Sequence, residues 1–175
     1  MDGLKQQHLD PSNGSGSFGQ GPSSNCFAGK SLEELLKSGT PEDIFSAISH
    51  FVPFTQDGQA VLQLKALSFL EATLRAVKWY SVRFSMPVTV DMIKERLPLE
   101  PSMIMAGFTS VKKDPSLVPE DIIKPLRLYL TSAVPGFDPA KPFHEQDEEV
   151  FRHHGVIQKI CLDALLLAAG NGMAS

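Results

Sequence analysis

The chain has 175 residues, 42% of them hydrophobic, with a formal net charge of −4. That length fits one well-cored domain better than two, and the charge argues against a surface given over to nucleic acid or anionic membrane. The charge is uneven: residues 57–114 hold eight Lys/Arg against six Asp/Glu, and residues 115–175 hold five against eight.

Along the chain, residues 10–29 are rich in Gly, Ser, Asn and Pro and read as irregular linker, so a domain is expected over 31–170, with short linkers at 1–30 and 171–175. Ser31-Leu32-Glu33-Glu34 has capping-box spacing, and its helix should stop at Gly39, a left-handed terminator. Thr40-Pro41-Glu42-Asp43 opens the next helix, with Ile44, Phe45, Ile48 and Phe51 or Val52 as its apolar face and Pro53 as its end. A long amphipathic helix follows, from Asp57-Gly58 to about Ser85, ended by Pro87. At about 28 residues it would span about 42 Å. Helical spacing puts Leu62, Ala66, Phe69, Leu70, Thr73, Val77, Tyr80 and Phe84 on one stripe, with Lys65, Glu71, Arg75, Lys78 and Arg83 off it.

Thr89 can cap a short helix over 90–97, and Pro101 opens another over 101–109. Pro119 starts a helix carrying Ile122, Ile123, Leu126, Leu128, Tyr129 and Leu130, with Pro125 as an internal kink. Pro135-Gly136 is a turn. The last helix should run from near Gln146 to about Ala169, with Val150, His154, Ile157, Cys161, Ala164, Leu165 and Ala168 inward. No alternating β-branched stretch is long enough to pair. The expected fold is an all-α bundle of about seven helices, with one long central helix and a long C-terminal one.

Cys26 and Cys161 are too few for a disulfide framework, which points to a reduced cytosolic setting. No secretory leader is visible, and the most apolar run, Ile157 to Ala169, is broken by Gln158, Lys159 and Asp163. Gly14, Gly16, Gly19 and Gly21 are followed by no Gly-Lys-Ser/Thr, so they read as linker rather than a phosphate loop. Adjacent His153 and His154 point about 100° apart on a helix and do not make the i,i+4 pair of a zinc site. His154 is expected to face inward and to need a hydrogen-bond acceptor. Cys161 reads as a small buried hydrophobe. No nucleophile, metal set or carboxylate pair presents itself, so no enzyme activity, cofactor or metal is expected in this chain.

Two clusters remain as partner-binding candidates. Trp79 lies off the main stripe of the long helix with Arg75 and Arg83 one turn to either side, and Lys65 and Lys78 are further candidates on the same helix. Either it stacks on a partner, or other helices cover that side as well, since Leu64, Leu67 and Val82 also leave the stripe. Glu145, Asp147, Glu148 and Glu149 sit at a helix start, where the macrodipole favours carboxylates; docking of a basic segment is the alternative.

Four segments, taken in order, resemble one family. They are Leu9-Asp10-Pro11-Ser12-Asn13; Asp57-Gly58 with Lys65 to Ala72 and Val77-Lys78-Trp79-Tyr80; Ile122 to Leu130 with Val134-Pro135-Gly136-Phe137; and His154-Gly155-Val156-Ile157-Gln158. Their order and spacing are similar to the all-alpha domain inserted into the motor of type IV secretion coupling proteins, the TraD/TraG/DotL-like ATPases. The resemblance covers nearly the whole chain. It implies a parent that is a hexameric P-loop ATPase anchored in the bacterial inner membrane, with ATP and Mg in a motor domain that this chain lacks. It also implies that the all-alpha domain lies on the cytoplasmic face and recognises substrates: a relaxase, effector or adaptor protein. The alternative is direct contact with DNA through Lys65, Arg75, Lys78, Arg83, Lys112 and Lys113, which would weaken steeply with salt.

Overall fold

The computed structural model describes residues 30–53, 60–108 and 118–170. The linkers expected before residue 30 and after residue 170, the Asp57-Gly58 start of the long helix, and Lys112 and Lys113 lie outside the described residues. Among the described residues there are seven α-helices and no strand: α1 Leu32–Ser38, α2 Pro41–Ser49, α3 Ala60–Phe84, α4 Val90–Lys94, α5 Leu99–Met105, α6 Glu120–Leu128 and α7 Glu148–Gly170. The all-α expectation holds.

Local chemistry explains most of the boundaries. Both expected caps at the start form: Ser31 Oγ accepts from Glu34 N while Glu34 reaches back to Ser31 N, and Thr40 does the same with Asp43. These hydrogen bonds hold the Glu34 and Asp43 carboxyls below the ordinary carboxylate range. Gly39 is not left-handed, contrary to expectation; its φ of −77° and ψ of 162° are extended. Its reason is space: a Cβ there would lie 2.6 Å from the Leu35 carbonyl oxygen, and the chain must run straight on into the Thr40 cap.

The left-handed terminator falls elsewhere. Ser85, with φ 53°, ends α3; Met86 N donates to Ser81 O at 2.9 Å and Ser85 N to Val82 O at 3.4 Å, and the Ser81 hydroxyl donates to the Met86 carbonyl. α4 stops at Lys94, short of the expected 97. α5 begins at Leu99 behind Pro98, so Pro101 falls in its first turn, where a missing N–H leaves no bond unmade. The distortion expected from Pro125 takes the form of a π turn, Tyr129–Ala133, directly after α6. The wider turn lets Tyr129 and Leu130 both face the core.

α3 is the centre, packing against α2, α6 and α7. A single stripe understates it: Ala66, Phe69, Leu70, Ala72, Leu74, Ala76 and Val77 are all buried, which surrounds the middle of the helix. α7 matches the expected face residue for residue, from Val150 to Ala168. The inner surface closes on Phe69, Leu70, Leu74, Ile44, Ile48 and Leu165.

Candidate functional site

The C-terminal end of α3 leaves the core. Val82 is 72% exposed, Phe84 57% and Met86 46%, so three large apolar side chains around the end of the helix reach solvent, with Val82 and Phe84 about 200° apart around its axis. Phe84 was expected on the inward stripe, but the packing elements stop before the last turn. Tyr80, half-buried, stacks on Phe84 with ring centroids 6.0 Å apart, and Trp79 meets Tyr80 edge-on at 5.2 Å. Trp79 is therefore half covered, by its own helix neighbour among others. Leu64 and Val82 are exposed, so helices do not cover that whole side.

The four cations of the long helix do not form one basic face. Lys65 Nζ donates to the Ala133 carbonyl at 2.7 Å and to His153 Nε2 at 3.2 Å, tying α3 to the π turn and to α7. Burial and this ammonium hold the His153 pKa below its usual value. Arg75 pairs with Glu71 at 2.9 Å and with Glu42 of α2 at 3.4 Å. Lys78 and Arg83 have no ionic partner among the described residues, and both flank Trp79. The basic patch thus shrinks to two cations without an ionic partner among the described residues.

The acidic residues spread over a turn and a helix start. Glu145 lies in a 3-10 turn, Phe143–Glu145, beside His144 at 3.5 Å. Asp147 pairs with Lys141 at 3.0 Å, raising the Lys141 pKa through that hydrogen bond. Glu148 and Glu149 occupy the first turn of α7, where the macrodipole favours them, and Glu149 reaches Arg152 at 3.8 Å. No ion pair joins these acids to the α3 cations among the described residues.

The buried polar centre is structural. His154, 1% exposed, has Nε2 2.9 Å from the Leu97 carbonyl and Nδ1 3.0 Å from the Tyr129 hydroxyl. A carbonyl can only accept, so Nε2 carries the proton and Nδ1 accepts from Tyr129. Leu97 O is the acceptor His154 was expected to need. Burial lowers the His154 pKa to about 4 and raises that of Tyr129. Phe69 stacks on Tyr129 at 4.5 Å and meets His154 edge-on at 5.1 Å. Cys161 is buried as expected; its thiol donates to the Ala66 carbonyl, and burial pushes it up to about 12.

The sequence reading missed Gln146. Its side chain accepts from Asp138 N at 3.1 Å and donates to the Asp138 and Lys141 carbonyls at 2.7 and 2.8 Å, folding the loop onto the start of α7. A buried Gln just before a helix, after a Pro/Gly-rich loop, is the only signal the sequence offered. Among the described residues no group of three His, Cys, Asp or Glu could hold a metal ion, and no helix is long and apolar enough to cross a membrane.

Comparison with protein-family models, with curated proteins and with solved structures finds no match for this chain.

Proposed function

We propose that this chain is a cargo-recognition domain of the kind inserted in type IV secretion coupling proteins, working at the cytoplasmic face of the bacterial inner membrane. It docks a protein (a relaxase, an effector or an adaptor) and does no chemistry of its own; ATP and Mg belong to the motor of the hexameric parent. One observation carries the reading. At the end of α3, Val82, Phe84 and Met86 are exposed near the half-buried Trp79 and Tyr80, and Lys78 and Arg83 have no ionic partner among the described residues. Aromatic and arginine side chains clustered in one patch are the composition of protein-binding hot spots.

The DNA alternative is the weaker one. Lys65 and Arg75, two of its six cations, are engaged within the fold. That leaves Lys78 and Arg83 as the cations of α3 with no ionic partner among the described residues, a small contribution to the salt-dependent phosphate contacts such binding needs. Calorimetric titration of the chain with the relaxase or effectors of its own secretion system tests the proposal. Binding that is lost in Trp79→Ala/Arg83→Glu and changes little with salt supports it. Salt-steep binding to an oligonucleotide, with no protein bound, overturns it.

A further inference from the structure

The outward face of α7 is ordered so that it complements itself. Gly155, Val156, Lys159, Asp163, Leu166 and Leu167 share an arc of about 120° around the helix, and all are exposed. Val156 is 44% exposed, Leu166 49% and Leu167 55%, so apolar side chains stand at both ends of the arc. Between them lies one ion pair, Lys159 Nζ to Asp163 Oδ2 at 2.6 Å. One edge of the face borders the aromatic cleft between α5 and α7, walled by Leu99, Phe143 and Phe151.

Gly155 has no explanation within its own chain. Glycine is unfavourable inside a helix, its φ here is not positive, and a Cβ built on it would meet nothing within 4 Å. It leaves a notch in the face. Two copies of α7 laid antiparallel, with a twofold axis level with Cys161, match these features pair by pair. Each Lys159 comes opposite the second copy's Asp163, each Val156 opposite its Leu167, and each Gly155 notch opposite its Leu166. Helical phase agrees with helical level: the two members of each pair lie within about 40° of one another around the helix, on the same side of the contact. Arg152 comes opposite the last turn of the second copy's α7, which holds no basic residue and where the macrodipole favours a cation. A parallel pairing would instead set Lys159 against Lys159 and Asp163 against Asp163.

We infer that α7 carries a docking face for a second copy of this chain, joined in an antiparallel twofold pair. Such an interface uses one patch twice, which is the order of charge and size that this helix shows. With one Lys and one Asp at its centre, the face offers no attraction to nucleic acid or an anionic bilayer. From the level of Gly155 to that of Leu167 the contact spans about 18 Å. That is small beside a standard interface of about 800 Å² per partner, so the dimer is reversible and depends on concentration. The face shares no residue with the end of α3, and the pairing does not depend on the docking proposed there.

Sedimentation velocity of the chain over about a hundredfold range of concentration tests the pairing. The expected result is a monomer–dimer equilibrium that Leu166→Glu/Leu167→Glu abolishes, with circular dichroism retained. Lys159→Asp gathers carboxylates across the axis and should raise the dimer dissociation constant at least about tenfold. The exchange Lys159→Asp/Asp163→Lys should restore it, and Trp79→Ala/Arg83→Glu should leave it unchanged. Lys159 and Asp163 are both exposed, so the charge series stays decisive if the two glutamates disturb folding. A chain monomeric throughout, a dimer indifferent to the leucine replacements, or a charge exchange that fails to restore pairing would overturn the inference. So would a dimer lost in Trp79→Ala/Arg83→Glu, since α3 would then be the contact.

Discussion

His154 shows how one residue couples the core to pH. Its imidazole is buried and neutral, held between the Leu97 carbonyl and the Tyr129 hydroxyl. The unfolded chain takes up a proton below about pH 6.5, whereas the folded chain does not until about pH 4. Protons therefore favour the unfolded state within that window, and stability present at pH 7 falls as the pH drops through it. The loss at pH 4 is about 3 kcal/mol from this group. The capping carboxylates of Glu34 and Asp43 act in the same direction but only at lower pH, as each is protonated. Urea unfolding at pH 7 and pH 5 reads the effect, and a stability unchanged between them would contradict the assigned tautomer and burial.

Ser85 is a second case. Its left-handed backbone suits glycine, so Ser85→Gly should raise stability by about 0.5–1 kcal/mol, visible as a higher Tm.

At the scale of elements, the sequence was legible where chemistry is local and period-bound. The Ser31 capping box, the Thr40 N-cap and the inward face of α7 could be read from spacing alone, because caps need only a few residues and a peripheral helix has one buried side. The centre was harder. α3 is enclosed on several sides, so Leu74 and Ala76 are as buried as Phe69, and no single stripe describes it. Which cations of α3 remain free depended on Glu42, Ala133 and His153, all distant in sequence. The aromatic cleft joins α5 to α7 across some fifty residues and left no periodic trace at all.

Two glycines separate local demand from open space. Gly39→Ala drives a Cβ into the Leu35 carbonyl and should destabilise by about 1 kcal/mol or more. Gly155→Ala meets no neighbour and should stabilise by about 0.5–1 kcal/mol. Paired denaturation curves check both, and shifts of the same sign would be inconsistent with the packing around these residues.

For the whole molecule, the fold divides into a buried polar and apolar centre that maintains shape and an exposed rim to which the proposed docking is assigned. Lys65, Arg75 and His154 are engaged within the fold, whereas Lys78, Arg83 and the aromatic end of α3 carry the proposed docking role. Variants at the two levels should therefore part company. Replacing rim residues leaves the unfolding midpoint within about 0.5 kcal/mol of the parent, as expected of surface substitutions. Replacing His154 with Leu strips the partner from the Tyr129 hydroxyl and the Leu97 carbonyl and should lower stability by about 2 kcal/mol or more.

The most direct measurement is the affinity of the folded chain for a secreted protein substrate before and after removing the α3 rim. The account predicts a measurable Kd that weakens at least about tenfold in Trp79→Ala/Arg83→Glu, with the circular dichroism of the folded chain retained. An affinity indifferent to that double replacement, in a chain that remains folded, would contradict it.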